Sequence, residues 1–290
     1  MIKASELVLN PDKSVYHLKL HPEQIADTIL LVGDPGRVAG ISALFSKIEF
    51  KQQNREIVTH TGTYNNKRIT AMSTGMGTDN IDIVVNELDV LANFDIQARK
   101  PKDKLKSLTL IRMGTSGAIQ KDIPVGSFVV SEFGVGLDGM LNFYDVPKGF
   151  FHDAMSEEFI KHCKWSNKLP FPYIAQANTE LFNLLSKGNI SGVTATAPGF
   201  YGPQGRELRL KTSNPELNSL IETFSFDNKR ITNIEMETSA LYGLSGLLGH
   251  KACTICTIIA NRVTKEFCND YHPHVQRMVE TVLDRITKSL

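Results

Sequence analysis

Short apolar runs that end in glycine or a turn punctuate this chain. Residues 28–33 (TILLVG) form the first, read as a buried strand, and Asp34-Pro35-Gly36 follows as a turn signal. A helix is predicted over residues 37–47 and a second strand over 68–72. Ile81, Val84, Val85, Leu88 and Leu91 then recur at the spacing of one helical face. Residues 108–113 make a buried strand that runs into Gly114-Thr115-Ser116-Gly117, and residues 126–132 make another. Residues 137–171, rich in aromatics and proline, read as loops with one helix. A strand follows at 192–196, a helix marked by Ala240, Leu241, Leu244, Leu247 and Leu248, and a strand at 252–259. Val275, Met278, Val279, Val282, Leu283 and Ile286 give a closing amphipathic helix.

Strands that alternate with helices predict an α/β sandwich with a mostly parallel central sheet. There is no internal repeat, low-complexity tract or linker, and 290 residues suit a single domain over 1–290. In open α/β sheets ligands bind at the carboxyl ends of strands, so the polar, glycine-rich segments after each strand carry the functional reading.

Composition narrows the class. Hydrophobic residues make up 41% and charged residues 22%, as in an ordinary globular enzyme. A formal net charge of +1 weighs against a nucleic-acid binder, whereas a small anion needs only a few placed arginines. No segment approaches the roughly 18 apolar residues of a membrane span, and the N-terminus lacks a signal peptide's apolar core. The expected location is the cytoplasm. Of the four cysteines, Cys253 and Cys256 form a CxxC inside an apolar strand. No second pair or paired histidines complete a metal set, so free, packed thiols are expected.

Four segments offer chemistry. Gly33-Asp34-Pro35-Gly36-Arg37 suits an oxyanion, since glycine admits a close N–H and arginine adds a charged fork; a plain turn with a solvated arginine reads about equally well. Arg112 lies near the end of an apolar strand, where burial without an anion is costly. A bound anion shared with Thr115 accounts for it better than a buried carboxylate partner does. Phe200, Gln204 and Arg206 offer a stacking face, an amide that donates and accepts, and a cation for a carbonyl oxygen; a mobile surface loop is the near-even alternative. Glu235 and Glu237, two residues apart, either complement a helix start or bind vicinal hydroxyls. Together the segments supply an anion site, a heteroaromatic-base site and a diol site.

These residues resemble the nucleoside phosphorylase-I family, and within it the uridine phosphorylases. The matching stretches are VYHLKL at 15–20, GDPGR at 33–37, REI at 55–57, STGMG at 73–77, RMGTSGAIQ at 112–120, FYGPQGR at 200–206, NIEMET at 233–238 and NR at 261–262, all in family order. The resemblance implies a three-layer α/β/α sandwich around a mixed, partly barrel-like sheet. It further implies a homo-oligomer built from dimers with shared active sites, with a hexamer as the usual assembly. By position, Gly33, Arg37, Arg112 and Thr115 would hold phosphate, with Arg55 from the neighbouring subunit. Glu237 would bind the ribose hydroxyls, Met236 would pack on the sugar, and His17 of the neighbour would reach the 5′-hydroxyl. Phe200, Gln204, Arg206 and Gly117 would surround uracil, with Glu235 and Arg262 behind it.

Specificity is argued locally within the resemblance. Related purine phosphorylases carry an aspartate after the last strand, whereas residues 258–262 here contain no carboxylate. Related nucleosidases use water and dispense with the phosphate arginines, while Arg37, Arg112 and Arg55 are all present. The expected activity is phosphorolysis of uridine, by a pentosyltransferase with inorganic phosphate as co-substrate. No organic cofactor or catalytic metal is implied. Some relatives bind a monovalent cation at the dimer interface near the position of Glu56, and Met76 and Asn80 keep that open. The rivals are a purine nucleoside phosphorylase and a catalytically silent nucleoside-binding protein on the same fold. A dinucleotide-dependent oxidoreductase is disfavoured, because no GxGxxG follows the first strand.

Overall fold

Residues 1–289 are described in the computed structural model. Strand β1 (Thr28–Val32) leads into helix α1 (Gly36–Ser42), followed by strands β2 (Lys47–Asn54), β3 (Ile57–Tyr64) and β4 (Lys67–Ser73) and helix α2 (Thr78–Asn93). A two-stranded ribbon, Phe94–Asp95 against Lys100–Pro101, stands apart from the main sheet. Then come β5 (Thr109–Ala118), β6 (Phe128–Gly136), α3 (Asp153–His162), β7 (Tyr173–Gln176), α4 (Thr179–Ser186) and β8 (Ile190–Thr196). The last third holds α5 (Leu217–Thr223), β9 (Ser225–Phe226), β10 (Lys229–Glu235), α6 (Thr238–Leu247), β11 (Lys251–Asn261), β12 (Glu266–Phe267) and α7 (His272–Ser289).

One sheet runs β9-β10-β8-β6-β11-β5-β1-β4-β3-β2, with β7 added to β6 and β12 to β11. β10 also pairs with β5, so β10, β8, β6, β11 and β5 close into a ring. The sheet is therefore mixed and partly barrel-like, not mostly parallel as the strand–helix alternation alone predicts. Its middle is parallel: β4, β1, β5 and β11 run together, as do β6, β8 and β10. Antiparallel seams at β6–β11 and β10–β5 join the two sets and close the ring.

Burial explains which elements form. β1 and β5 lie within the sheet, and Leu30, Leu31, Leu110 and Ile111 are fully buried. β2 sits at the sheet edge and alternates exposed with half-buried residues, which hid it from the apolar pattern. The predicted helix over 37–47 stops at Ser42, because Ser46 donates to Thr63 O at 2.8 Å and Lys47 begins β2 against β3. Helix α2 packs on α6, and α4 on α7. The apolar faces of α2, α6 and α7 share one core with β1, β4, β5 and β11. A second core lies under α3 and α5 against β6, β8 and β10.

The carboxyl ends of β1, β5, β10 and β11 face the same region. Register brings Arg112 beside Leu31, Cys256 beside Gly114 and Glu235 beside Thr196. No helix among the described residues is long and apolar enough to cross a membrane. Cys163, Cys253, Cys256 and Cys268 are free, the first three buried, and no metal-binding cluster of His, Cys, Asp or Glu occurs among the described residues.

Candidate active site

A cavity of about 970 Å³ opens at these strand ends. It is large for a small-molecule site, where ~300–1,000 Å³ is usual. Gly33, Arg37, Arg112 and Thr115 line one end, Phe200, Gln204, Arg206 and Arg262 another, and Gly117, Glu235, Met236 and Glu237 also contribute. Twelve of the residues expected from the sequence are thus brought together, although they come from segments spread over 230 positions.

At the first end, two guanidiniums lie near one another. Arg37 donates to Met113 O at 3.3 Å. Burial, and then the positive charge of Arg112, lower its pKa from the ordinary arginine value. An anion between or beside them would offset their mutual repulsion and the cost of burying their charge. Gly33 lies beside the Arg37 guanidinium: a Cβ there would sit 3.7 Å from Arg37 Nη2 and 3.4 Å from Gly75 O.

The structure corrects the expectation for Arg112. Its buried charge is balanced by a carboxylate: Arg112 Nη2 bonds Glu237 Oε2, and Nη1 lies 3.8 Å from Glu235 Oε2. Burial alone would lower the pKa of Arg112, but the charges of Glu237 and Glu235 outweigh it and raise the net value. The strand expected to end at Met113 runs on to Ala118, so Arg112 sits within β5, and the anion its burial demands comes from a segment far downstream that no local pattern points to. The pair still lines the cavity, so a ligand can reach both members.

Glu237 is 3% exposed and held from a second direction. Gly77 N–H, at the start of α2, donates to Glu237 Oε1 at 2.8 Å. A helix N-terminus favours a carboxylate there. This gives the STGMG stretch at 73–77 a structural role through Gly77; Gly75 and Met76 also line the cavity.

Glu235 serves the backbone. Its carboxylate accepts from Glu237 N at 3.0 Å, Thr238 N at 3.0 Å and Thr196 Oγ1 at 2.8 Å, which caps the first turn of α6. Burial raises its pKa, Arg112 opposes the rise, and Glu237 adds to it. Its carboxylate lies beside Arg112, and no hydrogen bond joins it to Arg262 among the described residues. Glu235 thus holds the backbone of Glu237 and the start of α6 while also lining the cavity.

At the other end a tight turn presents Phe200, Gln204 and Arg206. The Arg206 guanidinium stacks over the Phe200 ring at 3.7 Å. Its Nη1 donates to Phe200 O at 2.6 Å and to Gln204 Oε1 at 2.7 Å. Burial and the charge of Arg262 lower the Arg206 pKa to about 10. Arg262 Nη2 donates to the Gln204 carbonyl at 2.9 Å, so it holds the turn from behind. The stacked, hydrogen-bonded turn is an organised surface for a flat, amide-edged ring.

His17 and Arg55 do not line the cavity. They form a separate group. His17 Nδ1 lies 2.7 Å from Glu87 Oε1, Asn54 Nδ2 donates to His17 O at 2.8 Å, and Arg55 sits over the Tyr16 ring at 5.9 Å. Glu56, next to Arg55, does line the cavity and accepts from Asn80 Nδ2 at 3.4 Å.

The short β12 hairpin was missed from sequence. Lys265, Glu266 and Phe267 line the mouth of the cavity, with Phe267 60% exposed. The stretch is too short and too charged to show a period, and proximity to Arg262 was its only signal.

A uridine phosphorylase of Thermococcus kodakarensis is 29% identical over 263 residues, covering 87% of this chain and 79% of that protein. A DeoD-type purine nucleoside phosphorylase of Bacillus cereus is also 29% identical, over 271 residues, 92% of this chain and 97% of that protein. The crystal structure of a Trypanosoma brucei nucleoside phosphorylase, described as showing uridine phosphorylase activity, superposes with a TM-score of 0.86 at 28% identity, covering 98% of this chain and 100% of that one. A Toxoplasma gondii purine nucleoside phosphorylase superposes with a TM-score of 0.70 over 94% of this chain and 95% of that one; at 20% identity this is a likeness of fold. The family model described as the phosphorylase superfamily matches residues 27–289, and the chain belongs to that superfamily.

Proposed function

We propose that the protein is a uridine phosphorylase, which cleaves uridine with inorganic phosphate to uracil and ribose 1-phosphate. The observation that carries the reading is one cavity with Arg37 and Arg112 at one end, the Phe200–Gln204–Arg206 turn at the other, and Glu237 among its walls. Phosphate, ribose and a flat base need such an arrangement.

In the reaction, phosphate attacks the anomeric carbon as the bond to uracil N1 lengthens. The sugar gains oxocarbenium character and uracil gains negative charge. Gln204 and Arg206 donate to that charge, which lowers the barrier because it grows toward the transition state. Arg37, Arg112 and Thr115 hold the nucleophile beneath the sugar, so proximity supplies much of the rate. Glu237 accepts from the ribose hydroxyls while Met236 packs against the sugar. No covalent enzyme intermediate is required.

Preference for a pyrimidine rests on residues 258–262, which hold no carboxylate. Asn261 is committed elsewhere: its Nδ2 donates to Gln120 O and Ile123 O, both at 2.9 Å, and its Oδ1 accepts from Val263 N and Thr264 N. It has no proton to give a purine ring. A second reading, purine phosphorolysis, is favoured by the equal identity to DeoD-type enzymes and by Glu266, a carboxylate in the cavity wall.

His17 and Arg55 act in a neighbouring subunit's site, which makes the functional unit a dimer and its multiple a hexamer. Glu56 and Asn80 supply oxygen donors for a monovalent cation near that interface. The working compartment is the cytoplasm.

The test is the absorbance of uridine over time with and without inorganic phosphate, with inosine in parallel. Phosphate-dependent loss of uridine alone supports the proposal. Cleavage of inosine moves the reading to a purine enzyme, and cleavage without phosphate makes it a nucleosidase. Nucleoside binding without cleavage leaves a silent binding protein.

A further inference from the structure

The base-facing turn hangs on a single carbonyl. Gln204 O accepts from Arg262 Nη2 at 2.9 Å and from Asn218 Nδ2 at 3.1 Å. Arg262 lines the cavity, whereas Asn218 does not; it sits on α5, in the layer beneath the turn. We infer that Asn218 is a positioning residue for nucleobase recognition, one that acts through the backbone of Gln204 and touches no ligand itself. The inference rests on the base-site reading of Gln204 and Arg206 given above.

Three observations support it. The first is how little else Asn218 does. Its Oδ1 is buried and has no hydrogen-bond partner among the described residues, so its recorded bond is the one to Gln204. A buried acceptor without a partner is destabilising. If Asn218 served packing alone, a leucine of similar size would fill the space without that penalty. An asparagine held there at a cost is explained by the bond its amide donates.

The second is the closeness of the contact. Gly205 has φ +68°, and a Cβ built there would lie 2.4 Å from Asn218 Nδ2. A side chain at the residue after Gln204 would have to displace the Asn218 amide, and its left-handed backbone also favours glycine. Asn218 thus constrains the turn at two successive residues.

The third is where the constraint leads. Gln204 is 3% exposed and lines the cavity, and its Oε1 accepts from Arg206 Nη1. Arg206 in turn stacks on Phe200. A shift of the Gln204 backbone therefore moves the amide, the guanidinium and the ring together. A displacement of about 1 Å in such a constellation is enough to harm catalysis. Among the described residues no comparable chain of hydrogen bonds runs from Asn218 to Arg37 or Arg112, so the effect should be confined to the base end.

The test is Asn218→Leu, with Asn218→Ala as a second variant that adds no bulk. Losing one hydrogen bond that fixes the turn should raise the uridine KM roughly tenfold. The phosphate KM should stay within about twofold, and the melting temperature should not fall for the leucine variant, since the unpartnered acceptor is gone. A general structural role would move both constants together or lower the melting temperature, and either result overturns the inference. So do unchanged constants in both variants.

A readout free of substrate separates this inference from the proposed activity. Arg206, Arg209 and Lys211 lie on or just after the turn and are partly or fully exposed. If wild-type protein leaves uridine intact, the function reading fails while the tether is still judged by trypsin. Cleavage at these three sites that is several-fold faster in Asn218→Leu, at an unchanged melting temperature, upholds the tether, and equal rates overturn it.

Discussion

Arg112 and Glu237 lie 125 residues apart and meet as a buried ion pair in which each side chain is 5% exposed or less. One belongs to the proposed phosphate end and the other to the proposed ribose site. The same contact therefore stabilises the fold and joins two parts of the site. It is also what a phosphate and a ribose would share on binding.

Breaking the pair from one side should be costly. Arg112→Ala leaves Glu237 and Glu235 buried with no opposing charge, and loss of one member of such a pair costs about 3–5 kcal/mol. A lower denaturation midpoint and a sharply raised phosphate KM are expected together. The double variant Arg112→Met/Glu237→Gln should lose less stability than the separate Arg112→Met and Glu237→Gln losses summed, because only Glu235 is then left without its opposing charge, and it should be inactive. Additive losses in the double-mutant cycle would show that the two charges do not interact.

Gly114 tests the same contact from the backbone. A Cβ at this position would lie 1.9 Å from Arg112 Nη1 and 2.8 Å from Cys256 Sγ. The guanidinium must move for any side chain to fit. Gly114→Ala should therefore cut phosphate-dependent activity at least tenfold while uridine still binds. Calorimetric titration of uridine beside a rate assay checks it, and wild-type rates would mean that the guanidinium need not fold back over Gly114.

The sequence showed some of this site and concealed the rest, for physical reasons. β1, β5 and β11 are apolar because both faces are covered, and the glycine-rich segments GDPGR, just after β1, and RMGTSG, within β5, stand out. Those signals led to Arg37, Arg112 and Thr115. The edge strand β2 and its neighbour β3 carry polar residues and left no clear period. The closing of the ring by β10 against β5 depends on a pairing between distant segments, which no local pattern encodes. Partners were the least visible feature. Arg112 advertised a buried charge but not that Glu237 answers it, and Asn218 is one polar residue on a short helix whose role appears only beside Gln204.

The cysteines give a chemical check on packing. Burial pushes the thiols of Cys163, Cys253 and Cys256 up to about 12. At pH 8 almost none of each is thiolate, the form that reacts. Only Cys268, which is partly exposed, should react with an aromatic disulfide reagent in the folded protein, and all four should react once it is unfolded. More than one fast thiol in the native state would contradict the buried CxxC.

Arg206 should not tolerate a lysine. Its guanidinium stacks flat on Phe200 while Nη1 reaches both Phe200 O and Gln204 Oε1. An ammonium keeps the charge but loses the plane and the fork. Arg206→Lys should lower kcat/KM for uridine tenfold or more, with little effect on the phosphate KM. Equal activity in the lysine variant would reduce the residue's part to charge alone.

The arrangement of His17 and Arg55 makes the strongest demand on the assembly. Neither lines the cavity of its own chain, yet the pair is organised: Glu87 receives the His17 and Leu18 N–H groups as well as His17 Nδ1, and Asn54 fixes the His17 carbonyl. A carboxylate that bonds Nδ1 leaves Nε2 as the ring's outward-facing nitrogen. If these residues act in a second copy's site, two differently damaged chains should repair each other. Arg55→Ala harms only the site to which it is lent, whereas Arg206→Ala harms only its own. In a mixed dimer one site then carries both lesions and the other carries neither. Unfolding and refolding the two inactive variants together should restore roughly a quarter of wild-type activity, since random pairing makes half the dimers mixed and each of these has one intact site. Refolding each variant alone should restore none. Activity that stays at the level of the separate variants, with mixed dimers confirmed by mass, would place the whole site within one chain.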